Sequence, residues 1–256
     1  MIPVLILGTG CKRDTEPKEN RIGTLTWTFS DDGTLAINGT GDIPDYRITP
    51  TENLPPWFDD RNDITKVIIG DNVSKIGSRA FFNCKNLTSV TIGNSVTNIG
   101  DKAFLACSKL QSVTIPNLVT SIGDEAFAGC SSMTSLIIPN SVKEIGMAAF
   151  YECSDLTSVI IGNSVTSIGD EAFLGCSSLT SVTIGSSVTS IGNDAFRNCS
   201  DMEELINHQT MPQKINGTMF RNSNRVNCTL SVPAGSLTAY RAADVWKEFG
   251  IIQAIQ

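Results

Sequence analysis

Cys84, Cys107, Cys130, Cys153, Cys176 and Cys199 stand at a constant step of 23 residues. A row of thiols admits four chemistries: disulfides, a soft-metal site, a set of nucleophiles, or buried filler. Each needs different company. Zinc takes four ligands converging on a tetrahedron, usually including a closely spaced pair of cysteines. No C-x-x-C pair occurs here, and the one histidine, His208, lies outside the series. A nucleophilic thiol needs a neighbouring base, and none recurs with the cysteines. Disulfides pass a distance test, because equivalent residues in stacked units lie about 4.8 Å apart, within bridging reach. Direction counts against them: stacked side chains point in parallel, whereas a disulfide turns its Cβ atoms toward each other. Packing remains, with cysteine as a small hydrophobe in a repeating pocket. The six cysteines are thus expected to form a structural column, with no catalytic residue, no metal and no cofactor.

A pocket that repeats implies a fold that repeats. Six units of 23 residues run from 64 to 201. The second carries Leu87, Val90, Ile92, Val96, Ile99, Ala103, Phe104 and Cys107 at its apolar places, and the later units keep all eight places apolar. The period changes inside a unit. Val90 and Ile92 are two apart, with Ser89 and Thr91 as polar neighbours, which is strand spacing. Gly100 follows and permits a bend. Ala103, Phe104 and Cys107 are one, three and four apart, which is helical spacing. One such unit buries too little to offset the entropy of ordering its chain, so units must stack. The expectation is an α/β repeat: a solenoid with a parallel β-sheet along one side and short helical turns opposite.

Solenoid ends expose a core cross-section and need caps. Residues 25–41 read as a β-hairpin around Ser30-Asp31-Asp32-Gly33, with Trp27, Phe29, Leu35 and Ile37 on one face. After 201 the repeat decays. Residues 229–232 read as a strand. Ser236 stands as the N-cap of a helix over 237–247 with Leu237, Tyr240, Ala243 and Trp246 on one face. The division is therefore 1–21 as signal remnant and tether, 22–63 as an N-terminal β cap, 64–201 as the repeats and 202–256 as an α+β cap.

The apolar run from Ile2 to Leu7 is far shorter than the roughly 20 residues of a membrane span. It leads into Gly8-Thr9-Gly10-Cys11, which reads as a bacterial lipoprotein signal with Cys11 lipidated. The match lacks a basic leader segment and its leucine stands one place too far from the cysteine. The charged residues 12–21 then read as a tether. A net charge of -7 argues against nucleic acid, which needs clustered Lys and Arg.

The pattern L-x-x-V-x-I-x-x-x-V-x-x-I-G-x-x-A-F-x-x-C resembles the BspA-type leucine-rich repeat, most distinctively in AFLAC, AFAGC, AFYEC and AFLGC. The flanks LTWTFSDDGTLAINGTG and VPAGSLTAYRAADVW resemble segments that bracket such repeats. The resemblance implies a leucine-rich-repeat solenoid on a secreted or surface-anchored bacterial protein, often an adhesin for host matrix proteins or other cells. It brings no catalytic motif.

The outward strand column, Thr91, Thr114, Ile137, Ile160 and Thr183, is the candidate ligand-binding face. Ser89, Ser112, Ser135, Ser158 and Ser181 lie beside it. Tyr151-Glu152 and Arg197-Asn198, which vary an otherwise small loop, form a rival site. Asp101, Asp124 and Asp170, with Glu125 and Glu171, make an acidic stripe. It either holds calcium or favours the start of each helical turn through its dipole. The expected function is non-catalytic, adhesin-like binding of a protein or glycan, at a bacterial outer membrane or cell surface, through a lipid anchor. The alternatives are an envelope scaffold for partners of the same cell and, more remotely, a carbohydrate-active accessory or hydrolase.

Overall fold

The computed structural model describes residues 20–47 and 53–256; Cys11 and the apolar run before it lie outside the described residues. The chain winds as a parallel β-solenoid whose units contribute two strands each. The first strands, Lys66–Ile69, Ser89–Thr91 and Ser112–Val113, continue a sheet begun by the N-terminal strands. Ser135–Ile138, Ser158–Ile161, Ser181–Ile184, Glu204–Asn207, Thr229–Val232 and Ile251–Ala254 form a second sheet along the same side. The short second strands form one seven-stranded sheet running from Gly41–Asp42 to Ser190–Ile191. Alternation places Leu136, Ile138, Val159 and Ile161 inside, as strand geometry requires.

The remaining face is built from overlapping β-turns rather than helix. In the second unit the N–H groups of Ala103, Leu105 and Cys107 donate to the carbonyls of Gly100, Lys102 and Phe104, three residues back, at 3.2, 3.2 and 3.1 Å. Lys102 and Ala106 have φ of +58° and +63°. These left-handed residues stop the i→i−4 pattern, so the intervening N–H groups turn along the solenoid axis. Those of Lys102, Phe104 and Ala106 donate to the carbonyls of Asp124, Ala126 and Ala128 in the next unit, each at 2.8 Å. The face is thereby a third hydrogen-bonded ladder. Left-handed non-glycine residues cost roughly 1 kcal/mol each, and the inter-unit bonds offset that cost. Asn83, Gly129, Gly175 and Asn198 at the second such position suit it intrinsically.

Phe81, Phe104, Phe127, Phe150, Phe173, Phe196 and Phe220 stack through the core, neighbouring ring centroids 5.0–5.9 Å apart and planes within 1–19°. Trp57 closes one end, stacked on Phe81 at 5.7 Å, with its Nε1–H donating to the Ala80 carbonyl at 2.8 Å. Trp27 and Tyr46 meet Trp57 edge-on. Trp246 and Phe249 meet Phe220 edge-on at the other end. Gly100 serves close approach rather than a special backbone angle: a Cβ there would lie 2.7 Å from the Ser78 nitrogen of the preceding unit.

The hairpin forms as expected, Leu25–Phe29 pairing antiparallel with Thr34–Gly39. Asn20–Ile22 adds an antiparallel strand at its edge. The C-terminal helix is shorter than 237–247. It spans Leu237–Ala242, and Val245 at φ +68° precedes a 3-10 turn, Trp246–Glu248. Ser236 holds the N-cap position without capping; its Oγ–H donates to the Thr210 carbonyl at 2.7 Å. The repeat also outlasts residue 201. Glu204–Asn207 and Phe220 continue the sheet and the stack, and Ser223 stands where a cysteine would.

Two outcomes follow. Phe150→Ala should lower unfolding free energy by about 3–5 kcal/mol, read from urea denaturation. Deleting 133–155, one full unit, should leave a folded, shorter protein with unchanged circular-dichroism shape and cooperative unfolding.

Candidate functional site

The buried side chains form one continuous core, so only outward positions are open to a partner. Thr91 and Thr114 are exposed, Ile137 and Ile160 are 64% and 48% exposed, and Thr183 is half-buried. Parallel pairing sets Ile137 beside Ile160 and Ile160 beside Thr183. Thr91 pairs with Ile68 instead, and no strand pairing reaches Thr114 among the described residues. The five positions thus form two groups, not one column. Ser89, Ser112 and Ser135 are exposed; Ser158 and Ser181 are half-buried.

Ile137 and Ile160 border a shallow depression of ≈ 670 Å³ with Asn117, Pro139, Asn140 and Ser141 on its rim. The Ser141 hydroxyl there is buried without a protein hydrogen bond. Leu118, 56% exposed, replaces the serine found at Ser95 and Ser141. Sequence reasoning passed over Leu118, though it is an apolar residue at a place otherwise held by serine. Tyr151 and Arg197 of the rival loop are half-buried, and Arg197 pairs with Asp194 at 3.6 Å.

The acidic stripe has a different cause from a helix dipole. The Asp101 carboxylate accepts the backbone N–H of Asp124, Asp124 accepts that of Met147, and Asp170 accepts that of Asn193, at 3.0, 2.8 and 2.6 Å. Threonines do the reverse, the hydroxyls of Thr97, Thr120, Thr166 and Thr189 donating to carbonyls one unit earlier. Among the described residues no group of three or more His, Cys, Asp or Glu side chains is placed to hold a metal ion. Nor, among them, is any helix long and apolar enough to cross a membrane.

The cysteine column is buried and unbonded, with Cys228 also free and buried. Each thiol from Cys107 onward has a partner that sequence did not reveal. The Sγ–H groups of Cys107, Cys130, Cys153, Cys176 and Cys199 donate to the carbonyls of Phe81, Phe104, Phe127, Phe150 and Phe173, 26 residues earlier, at 3.2–3.4 Å. Ser223 repeats the contact, its Oγ–H donating to the Phe196 carbonyl at 2.5 Å.

The family model described as the BspA type leucine rich repeat region matches in 6 copies, over residues 56–176 and 120–234. The chain belongs to this family. Its repeats therefore extend past 201, in accord with Phe220 and Ser223. Among solved structures the BspA-type chain is similar to a leucine-rich repeat protein of T. pallidum, with 22% identity, 72% of this chain and 91% of that one covered, and a TM-score of 0.56. It is also similar to a leucine-rich cell surface protein of Faecalibacterium prausnitzii, with 22% identity, 93% and 73% covered, and a TM-score of 0.57. At these identities the likeness is one of fold. A search of curated proteins finds no match to the chain.

The thiol environment sets a pH response for this BspA-type solenoid. Burial pushes Cys84, Cys153, Cys199 and Cys228 up to about 12, from an ordinary 9.0. It raises Cys107, Cys130 and Cys176 well above that value as well. Above pH 9 the unfolded chain releases protons that the native state keeps. Stability should therefore be flat through neutral pH and fall as pH rises from 9 toward 12, by up to about 1.4 kcal/mol per thiol per pH unit. Tyr46 and Tyr240, also raised by burial, should steepen the fall at the upper end. Urea midpoints across pH 7–11 check this. A thiol reagent at neutral pH should leave the seven buried cysteines unmodified until urea unfolds the chain, and then label all seven without prior reduction.

Proposed function

We propose that the chain is a non-catalytic binding protein of a bacterial cell surface, adhesin-like, engaging a protein or glycan through the outward face of its first strands. The observation that carries this reading is the pair Ile137 and Ile160. They are adjacent and exposed, whereas the other isoleucines of the outward column, Ile68 and Ile206, are half-buried, and they border a depression. Apolar side chains in water contribute to binding when a partner covers them. The Ser and Thr around them supply hydrogen bonds without a charge to desolvate. Membership of the BspA type family supports a partner-binding role, and the similar F. prausnitzii protein is described as a cell surface protein.

The same reading takes residues 1–21 as anchor and tether, with Cys11 lipidated, 22–63 as the N-terminal cap, and a repeat body that begins at 64 and runs on past 201 into the C-terminal cap. Membrane association then runs through the lipid alone, at the outer membrane or cell surface.

Protease shaving and antibody labelling of intact cells that make the protein test the placement. External access is expected. Protection until the outer membrane is opened would replace host binding with an envelope scaffold role. A soluble form starting at residue 20, screened against host matrix glycoproteins and glycans, tests the face. The double variant I137D/I160D should reduce any binding at least about tenfold, a loss of roughly 1.4 kcal/mol, with its melting temperature little changed. Thr183→Ala should have a small effect. Undiminished binding by the double variant would remove this face from the reading.

A further inference from the structure

Two of the three ladders run unbroken from the first unit to the sixth, and the third does not. First-strand pairing thins from four residue pairs between Thr34–Gly39 and Lys66–Ile69, to three, then to two between Ser89–Thr91 and Ser112–Val113. Among the described residues no strand pairing joins Ser112–Val113 to Ser135–Ile138, and the sheet is divided there. Four pairs return between Ser135–Ile138 and Ser158–Ile161. The bonds leading into the strands stretch at the same place. The Thr88 N–H lies 2.8 Å from the Thr65 carbonyl, Gln111 and Thr134 reach their partners at 3.3 Å, and Thr157 returns to 2.9 Å. Inward side chains are less covered on the approach to the junction: Val90 of the second unit is half-buried, and Ile92 and Val113 are each 8% exposed, whereas Leu136 and Ile138 just beyond it are 2% and 1% exposed.

The opposite faces stay closed. Second-strand pairing continues from Asn98–Ile99 through Ser121–Ile122 to Glu144–Ile145. The turn ladder crosses the same junction, with Glu125, Phe127 and Gly129 N–H groups donating to Met147, Ala149 and Tyr151 at 2.7–2.8 Å. Phe127 and Phe150 remain stacked at 5.5 Å.

The sequence offers a cause. The residue after the inner isoleucine is Gly93, Pro116, Pro139, Gly162 and Gly185 in successive units. A Cβ at Gly93 would lie 2.2 Å from the Gly70 oxygen, and one at Gly185 would lie 2.4 Å from the Gly162 oxygen. The glycine units approach so closely because nothing projects between them. Pro116 and Pro139 carry that Cβ, and their predecessors must stand further off. The threonine side-chain ladder also lapses at Gln111, which has no hydroxyl.

We propose that the junction between the third and fourth units is a built-in hinge. Pro116 and Pro139 wedge open its first-strand face, while the second-strand sheet and the turn ladder act as the leaf about which the two halves of the solenoid flex. Ile137 lies on the far lip of the opening, so flexing changes the spacing between the Thr91–Thr114 group and the Ile137–Ile160 group. The hinge is a property of the fold and stands or falls apart from any binding role.

Native-state hydrogen exchange on the full chain reads local opening directly. Peptides covering 112–116 and 135–139 should exchange at least about tenfold faster than those covering 158–162 and 181–185. In the double variant P116G/P139G the slow rate should extend across the junction. Glycine by itself loosens a chain but also restores the N–H that proline lacks, so P116A/P139A, which restores the N–H and keeps the Cβ, is the control: exchange should stay fast in it, and exchange as slow as in the glycine variant would overturn the wedge. Equal protection of the two peptide sets in the unmodified protein would overturn the hinge, and that comparison needs no variant. Fast exchange that persists in a folded P116G/P139G would overturn the wedge on which the proposal rests. Should the double variant not fold, Pro116→Gly alone is expected to give an intermediate rate, and an unchanged rate would count against the wedge in the same way.

Discussion

Each turn of the chain must land on the one before it, residue over equivalent residue, at a rise near the 4.8 Å of paired strands. This single constraint dictates most of the sequence. Three ladders of backbone bonds fix the rise, and every side chain that repeats must tolerate its own copy at that distance. Phenylalanine does, because flat rings offset and stack at 5.0–5.9 Å. A buried charge would not, since like charges at that spacing repel strongly in a low dielectric. Glycine at 77, 100, 123, 146, 169 and 192 follows for a steric reason, the backbones there passing too closely for any side chain. Cysteine is small enough for the pocket and can donate to the preceding Phe carbonyl, a role in which alanine would leave an acceptor with one partner fewer.

Much of this was legible because a stacked repeat writes its contacts into the period. Val, Ile, Leu, Phe and Cys at fixed places named the core correctly, and all but the half-buried Val90 lie buried. The hairpin around Gly33 was legible from alternation. The turn face was not. Ala103, Phe104 and Cys107 have helical spacing, yet Lys102 and Ala106 take left-handed angles. The inter-unit bonds that reward those angles are long-range and leave no local mark. The acidic stripe was visible, but its cause was not: Asp101 is held by the N–H of a residue 23 places on. The seventh unit was missed because the cysteine became Ser223 and one residue was inserted before Ile215. The candidate face was half legible. Strand alternation gave which residues point outward, while the separation of Thr114 from Ile137 depends on a ladder that fails at one junction.

The ends show how the stack stops. Trp57 lies flat on Phe81, donates its indole N–H to the Ala80 carbonyl, and is itself covered edge-on by Trp27 and Tyr46, which closes the column. At the far end the core turns polar by degrees. Asn207 takes the place of Ile184, buried, and its Nδ2–H donates to Gln213 at 2.9 Å. Gln213 in turn donates to the Val188 carbonyl and accepts, through its own carbonyl, the Trp246 indole N–H. Asn207, Gln213 and the Trp246 indole thus each find a partner, as burial demands. A further unit with an isoleucine could not replace Asn207 without stranding Gln213. The cap is therefore encoded in the last strand itself.

Because stacking consumes the interior, variation is free only where a side chain points outward or where a unit can shift without breaking all three ladders. Ile137, Ile160 and Leu118 are departures of the first kind, and Pro116 and Pro139 of the second. They fall within two neighbouring units and their immediate successor. A hydroxyl-to-isoleucine change on the surface gains the fold little, since the residue stays in water. The proline changes cost strand pairing that adjoining units keep. Departures that do not serve packing, gathered at one place in an otherwise uniform spring, are best accounted for by what the surface meets rather than by what the core requires.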